Sequence, residues 1–118
     1  MFFNSSDFKA LEAGTQMASM QQQLSLQNIA NAETPDYKSK NLDFSAVLDH
    51  ATGASSPSSI TAKVTESDAI SNRTDGNNVD AEEESVALYR AYAQYSALLT
   101  KVKSDFDQYN YVLNCGMK

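Results

Sequence analysis

The sequence predicts an all-α fold in which long N- and C-terminal helices pair as a coiled coil around a flexible or partly extended central insert. Three observations carry this. Leu88, Tyr92, Tyr95, Leu99, Val102, Phe106, Tyr109 and Leu113 alternate four and three residues apart, which places them on one helix face with a 3.5-residue repeat. Ala10, Ala13, Met17, Met20 and Leu24 keep the same spacing near the start. Between these stretches, residues 50–78 are rich in Ser, Thr, Gly, Asn and Ala and poor in large apolar side chains.

The first helix is expected to begin at Ser6 or Asp7, where Ser5, Ser6 and Asp7 offer N-caps, and to run to about Ala32. Its packing face is assigned to Met17, Met20 and Leu24 and continues through Gln27 to Asn31. Small and flexible residues on that face let a partner helix approach closely. A Gln- and Ser-rich opposite face is unlike the basic face of a membrane-surface helix. Gly14 weakens the helix by up to ~1 kcal/mol relative to Ala, so tertiary contacts are expected to hold it.

Pro35 ends this element, because it disfavours helical geometry at Thr34 and has no amide proton. Thr34-Pro35-Asp36-Tyr37 reads as a turn with Pro second. The chain thus divides into an N-terminal helix (1–33), a turn and extended segment (34–49), the insert (50–78) and a C-terminal heptad helix (79–118). Within the insert, Ile60, Ala62 and Val64 alternate with polar residues, a pattern that permits one short strand, and Asp75-Gly76 marks a turn.

The last helix is expected to start at Asp80, with Glu83 completing a capping pair and Glu82 and Glu84 adding negative charge at the positive end of the helix dipole. It should stop at Gly116, a residue type common at helix ends. A helix from Asp80 to about Cys115 would be ~54 Å long, more than a small domain spans. Its apolar stripe is also wide: Ala91, Leu98 and Val112 flank the seam, and Val86, Ala93, Ala97 and Tyr111 lie further round. One partner helix cannot cover all of these side chains. Since each fully buried seam residue contributes ~1.5–3 kcal/mol, the pattern points to a subunit that completes its core against copies of itself or close relatives. The alternative is an intramolecular helical hairpin with spare apolar surface.

The chain has 118 residues, 42% of them hydrophobic, which is enough for one modest core. A net charge of −6, with nine basic residues scattered among fifteen acidic ones, argues against nucleic-acid binding. The single cysteine, Cys115, precludes an intrachain disulfide and reads as a small apolar residue late in a helix. The start has neither a basic n-region nor an apolar h-region, so no cleaved signal peptide is expected, and no apolar run reaches the ~20 residues needed for membrane insertion. His50, the only histidine, has no partner identifiable in sequence, and Glu82, Glu83 and Glu84 point in different directions on a helix. With no nucleophile motif or phosphate loop, no catalytic residue, metal site or cofactor is assigned.

The run Asn28-Ile29-Ala30-Asn31-Ala32-Glu33-Thr34-Pro35-Asp36-Tyr37-Lys38 resembles the signature of the flagellar axial proteins of the rod, hook and hook-filament junction. Within it Asn28, Ile29, Ala30, Asn31, Thr34, Pro35 and Tyr37 carry the match. Leu42-Asp43-Phe44 and Asn78-Val79-Asp80 are similar to the proximal-rod branch of that family, as is the short middle of the chain. The resemblance implies a non-enzymatic structural subunit of the bacterial flagellar basal body that assembles through its terminal helices with its own copies and other rod subunits. It further implies contact with the rod-base adaptor and delivery through the flagellar type III export apparatus without a cleaved signal peptide. Phe44-Ser-Ala-Val-Leu48 is similar to the family's export-recognition element, and plain packing of Phe44 and Leu48 is the competing reading. Asp36 stands where the family usually has Gly, so a positive φ there would strain the turn. Within this family the alternative is another axial rod paralogue; outside it, the rival readings are a soluble coiled-coil adaptor or chaperone and a small hydrolase or metal protein centred on His50 and the glutamates Glu82, Glu83 and Glu84.

Overall fold

The computed structural model describes residues 5–43, 63–71 and 73–116. Four elements follow in order: α1 (Ser6–Ala30), β1 (Lys40–Asp43), β2 (Lys63–Glu66) and α2 (Ala81–Cys115). The helices lie antiparallel and the short sheet packs against α1 at one end, giving an elongated molecule of 71 × 29 × 14 Å. Phe44, Leu48 and His50 lie outside the described residues, as does most of the insert's first half.

Both helix starts are fixed by side-chain caps. The Ser5 hydroxyl accepts from the Phe8 amide at 3.2 Å, and one Asp80 carboxylate oxygen accepts from the amides of Glu82 and Glu83 at 2.9 and 3.2 Å. These bonds satisfy N–H groups that the first turn of a helix cannot pair internally. α1 stops two residues earlier than expected. The Asn31 amide is shared between the carbonyls of Gln27 and Asn28, the Ala32 amide reaches Ile29, and the Asn31 carboxamide folds back to the Gln27 carbonyl at 2.8 Å. This tightened last turn leads directly into the Pro35 turn. At the far end Gly116 caps α2 but keeps right-handed geometry (φ −79°), so its freedom to adopt positive φ is not used.

Four contacts mark the antiparallel alignment of the helices. Asn28 meets Glu84, Gln22 reaches the Ala91 carbonyl, Gly14 faces Leu98, and the rings of Phe8 and Phe106 meet edge to face at 6.1 Å. A Cβ at position 14 would stand 3.3 Å from Leu98 Cδ1, so the missing side chain is what lets Leu98 seat against α1. The helix-weakening glycine thus has its tertiary reason. Met17 and Leu24 turn toward the sheet and form an apolar cluster with Leu42 of β1. Ala13, Ala18 and Ala91 are buried as well.

β1 and β2 pair antiparallel in the register Lys40–Glu66, Asn41–Thr65, Leu42–Val64 and Asp43–Lys63. Opposite charges therefore face each other at both ends, a favourable cross-strand arrangement. β2 lies within the stretch read as an insert, and Ser67, Asp75, Asn77 and Asn78 after it are hydrogen-bonded to the Pro35 turn and the residues that follow it.

Two residues with positive φ meet in that turn. Asp36 has φ 58°, so the position usually held by Gly in the resembling family does require the left-handed region. The Asp36 amide donates to the Asp75 carbonyl at 2.8 Å, and Gly76 (φ 77°) lies against the Asp36 side chain, where a Cβ would collide with Oδ1 at 2.5 Å. Asp36 carries a left-handed cost of ~1 kcal/mol that Gly would not, offset by the greater chain entropy of an unfolded Gly. Asp36→Gly should therefore change stability by less than ~1 kcal/mol, while Gly76→Ala should cost ~2 kcal/mol or more from collision and strain together. The double variant Asp36→Gly/Gly76→Ala should lose less than the two single effects predict, because the colliding oxygen is gone. Urea unfolding of the four proteins measures this coupling.

Candidate functional site: a buried polar hub and an exposed heptad row

Asn28 is fully buried and its carboxamide makes four hydrogen bonds to three different segments. Nδ2 donates to Glu84 Oε1 at 2.7 Å and to the Lys40 carbonyl at 2.9 Å. Oδ1 accepts from the Lys40 amide at 2.9 Å and from the Tyr37 hydroxyl at 3.2 Å. One side chain thus joins α1, the turn, the first residue of β1 and the first turn of α2. Because all four sites are occupied, the group is buried without an unsatisfied donor or acceptor.

Asn77 forms a second hub beside it and is 1% exposed. Its Nδ2 lies 2.9, 3.0 and 2.8 Å from the carbonyls of Asn31, Ala32 and Thr34, which are left over where α1 ends. Its Oδ1 accepts from the Val79 amide at 2.8 Å, and its carbonyl accepts from the Ser71 hydroxyl. Asn78 extends the clamp, accepting from the Ser39 amide and donating to the carbonyls of Ser67 and Ala69. Outside this, Lys38 Nζ donates to the Gly76 carbonyl at 2.6 Å, and Arg73 donates to the Ala32 carbonyl while pairing with Glu33 and Asp75 at the surface.

Of the run singled out in sequence, Asn28 and Tyr37 enter the hub directly. Asn31 and Thr34 supply the carbonyls that Asn77 clamps, and Thr34 also donates its hydroxyl to Asn31 Oδ1 at 3.2 Å. Pro35 sets the turn geometry, Ile29 is half-buried and Ala30 is exposed. Sequence reasoning missed three members of the site. Glu84 was assigned to the helix dipole, yet it turns inward and is buried. A signal was present: Glu84 stands seven residues before Ala91 and fourteen before Leu98, on the line that faces α1. Asn77 left no comparable signal, because its partners are backbone carbonyls and amides, and Asn78 stood out only through the Asn78-Val79-Asp80 resemblance.

The wide stripe of α2 divides in two. Leu88, Tyr95, Val102 and Phe106, with the flanking residues Ala91 and Leu98, turn toward α1. Tyr92 and Leu99 do not, remaining 62% and 44% exposed, with Tyr89 beside them and Val86 exposed further round the helix. Leu26 of α1 stands next to this row, and a shallow apolar groove runs between Leu26 and Gln22 on one helix and Leu88, Tyr89 and Tyr92 on the other. Met20, expected on the packing face, is exposed, and Gln27 is too: the buried line of α1 runs through Ala18, Ser25 and Asn28 instead. Beyond Phe106, α2 carries Tyr109, Tyr111, Val112 and Leu113 past the start of α1, all exposed, with Cys115 exposed at its end. Among the described residues, no helix is long and apolar enough to cross a membrane.

No family model matches the chain. Over an alignment of 118 residues, covering 90% of the chain and 92% of the relative, it is 28% identical to the flagellar basal body rod protein FlgB of Bacillus subtilis (strain 168). The chain is FlgB-like. The likeness covers nine-tenths of the FlgB-like chain and is not confined to one shared motif.

Burial raises the Tyr37 hydroxyl above the usual phenol range, and the charges of Glu84 and Glu66 add to the effect. The folded state therefore holds this proton more tightly than the unfolded chain. The resulting stabilisation is fully present below about pH 10 and is lost as pH rises through the folded-state value. Stability should fall above pH 10 by more in the wild type than in Tyr37→Phe, as urea melts between pH 8 and 11 would show. At neutral pH, Asn28→Ala should cost ~3 kcal/mol or more, since it strands the Glu84 carboxylate and the Lys40 backbone. Asn77→Ala should cost ~1–2 kcal/mol by removing the link between the turn carbonyls and the Val79 amide, although the carbonyls of Asn31, Ala32 and Thr34 each keep a second donor in Thr34, Arg73 and Tyr37. Denaturant midpoints at pH 7 test both values.

Proposed function

We propose that this protein is a structural subunit of the proximal rod of the bacterial flagellar basal body, assembling with copies of itself and other rod subunits through coiled-coil packing of its terminal helices. Whole-length similarity to a flagellar basal body rod protein supports the setting. The observation that carries the mechanism is the exposed row of Tyr92 and Leu99 beside Leu26. Heptad spacing adapts such a row to another helix, and α1 leaves it uncovered. The proposal includes a rod-base adaptor as neighbour and delivery by the flagellar type III export apparatus without a cleaved signal peptide, with Phe44 and Leu48 as the element that apparatus reads. Recovery of a tagged copy in isolated basal bodies checks the location.

The structure refines which substitutions test the packing. Phe106 meets Phe8 within the same chain, so Phe106→Asp would damage the subunit itself. Leu99→Asp places a charge on the outward row and should leave helix content and expression unchanged while abolishing swimming in a strain lacking the native gene. Normal swimming by a well-expressed Leu99→Asp protein would rule out packing through this row. A stable, discrete oligomer of the isolated wild-type chain would instead favour a soluble coiled-coil adaptor.

A further inference from the structure

The side of α1 that faces α2 carries Gly14, Ala18, Ser25 and Asn28, and the opposing side of α2 carries Glu84, Leu88, Ala91, Tyr95, Leu98 and Val102. Small side chains on one helix and a regular heptad on the other fit together at several axial offsets. Sliding α1 by seven residues returns the same α2 face to it, so apolar packing distinguishes the alignments only weakly, through Leu98 against Gly14 and the edge-to-face Phe8–Phe106 pair. The polar contacts are different. The Asn28–Glu84 bond exists at one offset only, and the Lys40 amide and carbonyl bound to Asn28 tie that offset to β1. Four residues before α2 begins, Asn77 grips the carbonyls just past the end of α1.

We infer that the Asn28–Glu84 pair and Asn77 together act as a register lock, selecting one axial alignment of α1 and α2 that the small-residue interface does not select by itself. A buried polar group commonly serves specificity in coiled coils in this way, at some expense of stability. The lock has a consequence for the outer surface. It decides that Leu26 stands beside Leu88 and Tyr92, and a seven-residue slide would move Leu26 about 10 Å along α2 and dismantle the groove between them. This inference concerns the helix pair alone and stands whether or not the chain assembles into a rod.

The test reads the alignment by cross-linking. In full-length protein carrying Cys115→Ser, the pair Gly14→Cys and Leu98→Cys reports the native offset, and Gly14→Cys with Ala91→Cys or Asp105→Cys reports slides of one heptad either way. These three reporters are compared with and without Asn28→Leu, Glu84→Leu and Asn77→Ala together. Replacing both members of the buried pair by apolar residues avoids stranding a charge, so the helices are expected to stay formed, with circular dichroism near that of the parent. The 14–98 cross-link should then fall at least tenfold in rate relative to the parent, with a slid pair rising to a comparable rate. Undiminished 14–98 cross-linking would overturn the inference by showing that packing alone holds the offset. Loss of helix content would also overturn it, by showing that these residues hold the helices together rather than align them. Asn77→Ala alone and Asn28→Leu/Glu84→Leu alone divide the effect between the two clamps.

Discussion

The structure depends on the burial of one carboxamide. Asn28 can occupy the interior only if its two donors and two acceptor positions are met, and the groups that meet them come from Glu84, Lys40 and Tyr37. That requirement draws the start of α2, the start of β1 and the Pro35 turn to the same point on α1. The apolar contribution nearby is small, with Met17, Leu24 and Leu42 forming the cluster under the sheet. An elongated 118-residue chain has little volume for a large core, so polar complementarity specifies what apolar burial cannot.

Backbone geometry reinforces the same end of the molecule. The tightened end of α1 leaves carbonyls that need donors, and Asn77 supplies them from a loop read as part of the insert. The Pro35 turn requires a positive φ at its third residue, which Asp36 accepts, and the opposing loop answers with a glycine at position 76 that has no Cβ to collide. Turn, loop and helix ends are thus held by a closed set of hydrogen bonds. Among the described residues, the opposite end carries only the last turns of α2.

Exposed apolar surface runs the length of α2. Beside the polar hubs Glu84 is buried while Val86 and Tyr89 are exposed; further along, Tyr92 and Leu99 face outward, and Tyr111, Val112 and Leu113 extend beyond the start of α1. A heptad line that continues while its intramolecular partner covers only part of its width suits a molecule that meets other helices. Whole-length similarity to a flagellar basal body rod protein agrees with that distribution.

Sequence alone determined the two helices, the cap at Asp80, a first cap among Ser5, Ser6 and Asp7, the end of the second helix near Cys115, and the excess width of its apolar stripe. These follow from local chemistry: periodicity, a side-chain oxygen before a first turn, a proline after a last one. Tertiary structure decided which half of the stripe α1 covers, and with it why Met20, Tyr92 and Leu99 are exposed while Ala18, Ser25 and Asn28 are buried. It also turned Glu84 from a helix-start charge into the partner of Asn28, and it made Asn77 and Asn78 into clamps on backbone groups. The clamping roles of Asn77 and Asn78 are illegible in sequence because their partners are backbone carbonyls and amides, which nearly every residue carries, and only the folded chain says which of them come within hydrogen-bond reach.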